Sequence, residues 1–268
     1  MNTISFMSAN YFAREVGYNV TEGWMQGDNA TNAYFSPLAT YAERFGALLT
    51  QIANLGFEAV DIWSGHLNTR WATDEHIRIA QELLDRHHLK VVSLATGNFG
   101  ETPALFERTC QIAVALKAKI LGGGTPLMET DRPAVVALLN QYDLKLGLEN
   151  HPEKTPEALL ECIGDPAGGR VGAAVDTGWF GTQGYDAALA LEKLSPVLVH
   201  IHLKDVLEVG QHRTCRYGQG CVPIERCVQF LRKSGYSGPI SVEHEPDHFN
   251  PDEDCKADLG MLRAWLQN

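Results

Sequence analysis

Four short apolar runs in the second half of the chain each end on side chains able to hold a proton or a metal ion. That repetition constrains the fold more than any other feature. Lys145 to His151 reads Lys-Leu-Gly-Leu-Glu-Asn-His, and Val171 to Asp176 reads Val-Gly-Ala-Ala-Val-Asp. Val197 to Asp205 reads Val-Leu-Val-His-Ile-His-Leu-Lys-Asp, and Ile240 to Glu245 reads Ile-Ser-Val-Glu-His-Glu. A near-continuous apolar run bounded by turn residues is the pattern of a parallel strand buried on both faces. With an alternation of two, Gly147, Glu149 and His151 share one face, opposite Leu146, Leu148 and Asn150. By the same rule Gly172, Ala174 and Asp176 lie together, as do His200, His202 and Lys204, and Ser241, Glu243 and Glu245. One strand-end carboxylate is ordinarily a helix cap or half of an ion pair, and one histidine is ordinarily just hydrogen-bonded. Four such endings in phase argue for strand ends that converge on one cavity.

The rest of the chain alternates in the same way. Thr3 to Ser8 reads as a first strand, followed by a long loop from Asn10 to Ser36 rich in Gly, Asn and Thr. That segment carries Tyr11, Tyr18, Trp24, Tyr34 and Phe35, which favour a lid or cavity wall over a disordered stretch. Tyr41 to Asn54 places Phe45, Leu48, Leu49 and Ile52 at helical spacing. Strands are expected at 57–63, 90–95 and 118–121, and helices at 73–84, 102–116, 185–194, 223–233 and 251–266. A further helix starts at Pro133, and another at Thr155-Pro156, where a cap precedes a proline at the first helical position. Eight strands alternating with helices, without linker or low-complexity stretch, give a (β/α)8 TIM barrel spanning residues 1–268 as one domain. A doubly wound open sheet is the alternative, but it offers no reason for four strand ends to meet.

Composition narrows the function. A formal charge of −11 disfavours nucleic acid and anionic membranes as general partners. The opening Met-Asn-Thr-Ile-Ser-Phe-Met-Ser has no basic region ahead of a long apolar core, so no signal peptide is expected. No run is long enough for a membrane span. The six cysteines form no Cys-x-x-Cys pair and read as reduced thiols, giving a cytoplasmic protein as the expectation. Its expected partner is a small carbohydrate, with self-association into a homo-oligomer left open.

On a closed barrel, Glu149, Asp176, His202 and Glu243 supply three carboxylates and one imidazole to the face where such barrels carry their chemistry. Oxygen and nitrogen donors suit one divalent ion, manganese first, with magnesium, cobalt or zinc as alternatives. Around them, Trp63, His66 and Asn68 end the second strand, Asn98 ends the third, and His151, Trp179 and Glu245 flank the donors. An indole platform with Asn and His donors suits the mixed surface of a sugar. His66 is alternatively a further metal ligand. Lys204 shares the His202 face and can donate to a developing oxyanion, or else form an ion pair at the rim. The polar segment from His212 to Gly220 can close over a substrate, with Arg216 holding a carboxylate or phosphate.

The motifs Leu-Glu-Asn-His (148–151), Val-Asp-Thr-Gly (175–178), His-Ile-His-Leu-Lys-Asp (200–205) and Gly-Tyr-Ser-Gly-Pro-Ile-Ser-Val-Glu-His-Glu (235–245) resemble those of the sugar phosphate isomerase/epimerase, or xylose isomerase-like, barrels. The resemblance covers almost the whole chain. It implies one divalent metal held by Glu149, Asp176, His202 and Glu243, with Glu149 and Glu243 also acting as acid/base groups. Of the paired histidines the second matches the ligand, and of the two final glutamates the first. Two positions depart from the ketose 3-epimerase branch: Trp179 stands where those enzymes have histidine, and Glu208 where they have arginine. The implied function is metal-dependent isomerisation or epimerisation of a small carbohydrate through an enediolate. A lyase or dehydratase acting on a keto-sugar or 3-keto-glycoside is the alternative, ahead of an endonuclease IV-like nuclease or a non-catalytic sugar-binding protein.

Overall fold

The computed structural model describes residues 2–267. Its strands are β1 (Ile4–Met7), β2 (Ala59–Trp63), β3 (Lys90–Thr96), β4 (Ile120–Gly123), β5 (Lys145–Glu149), β6 (Val171–Asp176), β7 (Leu198–Leu203), β8 (Asp205–Val206), β9 (Thr214–Cys215) and β10 (Ile240–Val242). The helices are α1 (Trp24–Phe35), α2 (Leu38–Asn54), α3 (Asp74–Arg86), α4 (Pro103–Ala115), α5 (Leu127–Thr130), α6 (Arg132–Gln141), α7 (Pro156–Ile163), α8 (Thr177–Thr182), α9 (Ala187–Leu194), α10 (Ile224–Ser234) and α11 (Asp252–Gln267). Strands β1 to β7 and β10 form a closed barrel, with β1 pairing in parallel to both β2 and β10. The (β/α)8 architecture expected from the strand count is therefore present.

Local chemistry sets the helix starts. Thr102 and Thr155 accept hydrogen bonds from the Leu105 and Ala158 amides, each ahead of a proline at the helix start. Thr73 and His76 form a reciprocal capping box at the start of α3. Outward-facing Leu146, Ile201 and Leu203 join one apolar core with Leu159, Leu191 and Leu231 of the surrounding helices. Full burial of each such side chain contributes about 1.5–3 kcal/mol.

Three expectations need correction. The segment from Asn10 to Ser36 is not a loop but two 3-10 turns followed by α1. Its Gly, Asn and Thr content gives weak helix propensity, and tertiary contacts override it. A Cβ on Gly27 would lie 2.4 Å from the Phe12 carbonyl oxygen, so only glycine lets α1 approach that backbone. Phe12 also stacks on Trp24 at 4.2 Å. Second, β7 stops at Leu203 instead of reaching Asp205, and β8 pairs antiparallel with β9. Asp205 turns the chain there, because its carboxylate accepts from the amides of Gly218, Gly220 and Val222 at 2.9–3.1 Å. Third, β4 extends through Gly122 and Gly123. Gly123 has φ of +146° against Thr96, a position closed to any residue with a Cβ.

Among the described residues no helix is long and apolar enough to cross a membrane. Behind the barrel, α11 buries Asp258, whose Oδ1 accepts from the Tyr217 amide at 3.0 Å while Oδ2 has no partner. Burial pushes this carboxyl up to about 7. A carboxyl raised in the fold is stabilising while protonated, so stability falls as pH rises from the unfolded value near 4 to about 7. Asp258→Asn removes the penalty. A melting temperature higher on the order of 5 °C at pH 8, with the gain vanishing toward pH 4, is expected by scanning calorimetry. A variant that melts lower than the parent at pH 8 contradicts this.

Candidate active site at the C-terminal end of the barrel

The interior layer beneath the site is polar. Asp61 of β2 is fully buried, and its Oδ2 accepts from His200 Nε2 at 2.7 Å, His202 Nε2 at 3.1 Å and Ser241 Oγ at 2.9 Å. Ser93 adds a contact of 3.1 Å to His200. A Cβ on Gly122 would sit 3.3 Å from the His200 ring, so this glycine gives the paired histidines room. Burial alone would raise the Asp61 carboxyl, but hydrogen bonds from both imidazoles outweigh it and hold the group well below its usual range. Asp61 was not among the sequence candidates. Its signal is a lone carboxylate inside the apolar run Ala-Val-Asp-Ile-Trp.

Asp61 fixes which nitrogen of His202 faces the cavity. With Nε2 on Asp61, Nδ1 lies against Glu149 Oε1 and 3.4 Å from Glu243 Oε2. Burial pulls this imidazole down, but Glu149 foremost, then Glu243, outweigh it and hold it well above its usual range. His200 lies deeper, and burial keeps its imidazole below the usual value.

Asp176 does two jobs. Its Oδ1 caps α8 by accepting from the Trp179 amide at 3.0 Å, while Oδ2 faces Lys204 Nζ at 2.9 Å and His151 Nε2 at 3.1 Å. Asn150, on the opposite face of its strand, holds that register. Its amide exchanges hydrogen bonds of 3.0 and 2.8 Å with the Asp176 backbone, standing in for the strand ladder beyond β5. Burial opposes ionisation of Asp176, yet Lys204 and His151 hold its carboxyl well below the usual range.

Lys204 is buried rather than at the rim. Its Nζ lies 2.9 Å from Asp176, 3.0 Å from Glu243 and 2.9 Å from Glu245. These carboxylates outweigh burial and keep the ammonium charged. The two glutamates at the site shift in opposite directions. Glu149 is lowered, with His202 and His151 overcoming burial, whereas burial pushes Glu243 well above its usual value despite Lys204.

Above the deeper cluster of Asp61, His200 and His202, the donors at the cavity fit a cation in two triads that share one residue. Glu149, His202 and Glu243 gather ligand atoms within 4.8 Å of one another, and so do Glu149, His151 and Asp176. Asp176 thus stands with His151 and not directly with His202 and Glu243, and the Lys204 ammonium lies between the two groups. Glu243 Oε2 is buried without a hydrogen-bond partner. With Nε2–H donated to Asp61, a neutral His202 would aim its lone pair at two carboxylate oxygens. A cation that displaced the Nδ1 proton would be held by that lone pair and both carboxylates, and a carboxylate behind a ligating histidine is the usual support for one.

These groups open on a cavity of about 370 Å3. Trp63, His151, Lys204 and Glu245 line it from strand ends, and Trp179 from α8, together with Glu149 and Glu243. Trp24 and His212 also line it, each from a segment expected to cover the cavity, 10–36 and 212–220. His212 Nε2 reaches to 3.4 Å from Lys204 Nζ. The remaining candidates lie elsewhere. Asn68 and Asn98 line a neighbouring cleft that shares Ala95 and Thr96 with the cavity. His66 is buried beside Trp63, with Nδ1 3.1 Å from Ser8 Oγ, and belongs to neither triad. Arg216 pairs with Asp254 at 2.8 Å.

The chain is 23% identical to the uncharacterised protein MJ1311 of Methanocaldococcus jannaschii, across 78% of this chain and 82% of that one. It is 30% identical to the L-ribulose-5-phosphate 3-epimerase UlaE of Salmonella paratyphi A, over 31% of this chain and 28% of the epimerase. Its fold superposes on a solved D-tagatose 3-epimerase-like protein with a TM-score of 0.70 at 18% identity, covering 99% and 98% of the two chains. Residues 49–265 match the model of the xylose isomerase-like TIM barrels, and the chain belongs to that family.

Proposed function

We propose that the protein is a divalent-metal-dependent isomerase or epimerase of a small carbohydrate, working in the cytoplasm through an enediolate. The observation that carries this reading is the pair Glu149 and Glu243 on either side of His202 Nδ1, at the mouth of the barrel. An L-ribulose-5-phosphate 3-epimerase by sequence and a D-tagatose 3-epimerase-like protein by structure support it by likeness. Glu149, His202 and Glu243 would hold the ion, with Asp176 completing the set and manganese as the first choice. Bound there, the ion supplies Lewis-acid polarisation of a sugar carbonyl, which acidifies the adjacent C–H.

The chain's own residues do the rest. Glu243 and Glu149 project from strands separated by β7 and β6, so one carboxylate can remove the proton and the other return it from a different side. Lys204 keeps its proton and can donate a charged hydrogen bond to the oxyanion of the enediolate. Trp24, Trp63 and Trp179 offer flat apolar surfaces to the C–H face of a sugar and keep water from the reacting carbons.

Metal removal tests the reading. Chelation should abolish interconversion of keto-sugars, and added Mn or Co should restore it. His202→Ala should lose metal affinity, whereas His200→Ala, deeper in the barrel, should retain bound metal by elemental analysis. Full turnover by metal-free protein overturns the proposal. Loss of a leaving group in place of interconversion would redirect it to a lyase.

A further inference from the structure

Beside the central cavity lies a second one of about 340 Å3, and Trp24, His212 and Glu245 line both. The catalytic reading makes no use of it. Three of its walls are large apolar side chains left open to solvent in the same place: Trp24 at 37% exposure, Leu207 at 39% and Phe249 at 38%. Trp24 is not a loose ring. It stacks on Phe12 and meets Trp63 edge-on at 5.7 Å, which fixes it as a partition between the cavities. Phe249 is packed against His244 and His248 at 5.7 and 5.1 Å.

From these observations we propose that the second cavity is a subsite for the distal ring of a glycoside. The substrate then has two units: a sugar that reacts in the central cavity and carries a ketone on its ring, because the acetal locks its anomeric carbon, and a neutral ring, sugar or aryl, held between Trp24 and Phe249. Each cavity is near the lower end of the roughly 300–1,000 Å3 range of small-molecule pockets, which suits one ring apiece. Aromatic walls with few free charges suit such a ring. An anionic distal group is disfavoured, because Arg216 is already paired with Asp254, and Glu245, Asp247 and Asp254 outnumber the lining arginines Arg213 and Arg216. The central cavity gives a phosphate no better cation, since Lys204 is held by three carboxylates.

This inference rests on the carbohydrate reading of the central site, but its test is independent of turnover. Calorimetric titration of the Mn-loaded protein compares methyl with 4-nitrophenyl glycosides of glucose and galactose, in both anomers. At least one 4-nitrophenyl glycoside should bind about tenfold or more tightly than its methyl partner. Phe249→Ala should erase that gain while leaving methyl glycoside affinity unchanged, and Leu207→Ser should reduce it. Both residues are partly exposed, and melting temperatures equal to the parent's would show that the variants keep the fold. Equal affinity within every pair, or a gain that survives Phe249→Ala, overturns the subsite. Proton exchange on free keto-sugars, assayed separately, reports on the central reading alone.

Discussion

Glu243→Gln should lower turnover by about 10²–10⁴-fold at saturating metal, the span typical of a general acid–base group. The amide keeps an oxygen donor and nearly the same shape, so metal should still bind, more weakly, and sugar should still bind. What it cannot do is exchange a proton with substrate carbon. Glu243 sits between Lys204 Nζ at 3.0 Å and His202 Nδ1 at 3.4 Å, so the amide would keep the same neighbours. Glu149→Gln should cost as much in an epimerase, where a second group works from another side. Near-normal turnover by Glu243→Gln would reduce Glu243 to a ligand and shift the proton transfer to Lys204 or Glu245.

Lys204→Met should be among the most destabilising single changes in this molecule. It strips the common cation from Asp176, Glu243 and Glu245, all buried. Removing one partner of a buried ion pair costs about 3–5 kcal/mol, which in a chain of this size lowers the melting temperature by roughly 6–20 °C. Saturating Mn should restore part of the loss, because the ion would neutralise the same carboxylates. A metal-free variant that melts with the parent would mean that the carboxylates take up protons without penalty.

Much of this site was legible in the sequence because alternation survives inside strands. Glu149, Asp176, His202, Lys204 and Glu243 were placed by counting residues in twos, and Trp63, His151 and Glu245 lie close enough to strand ends for the count to hold, whereas Trp179 reaches the cavity from α8. Beyond the ends it fails. The chain turns at Ser64–His66, where the His66 amide returns to the Trp63 carbonyl, and His66 and Asn68 leave the cavity. Asn98 sits in a similar turn, its side chain accepting from the Gly100 amide. His212 comes from a loop whose path depends on Asp205 capping three distant amides, which no periodicity encodes.

The barrel was equally readable, and α1 was not. Its residues Trp-Met-Gln-Gly-Asp-Asn-Ala-Thr-Asn-Ala-Tyr-Phe favour turns, and the helix depends on the seat that Phe12 provides for Gly27. Trp24 nevertheless ended on the cavity wall, as the concentration of aromatics in that segment suggests. Asp61 was hidden for the opposite reason. Inside an apolar strand a single carboxylate shows its importance only when the histidines it supports are seen beside it.

Proton exchange at the substrate carbon is the most direct test of the enediolate. The Mn-loaded protein would be incubated in deuterated water with a panel of keto- and aldo-sugars, including 3-keto-glycosides, and the products followed by NMR. Deuterium should enter at the carbon next to the carbonyl, together with the epimer or isomer, and chelation should stop both. Conversion of a sugar with no solvent deuterium at that carbon, or no exchange on any sugar while metal is bound, would contradict it.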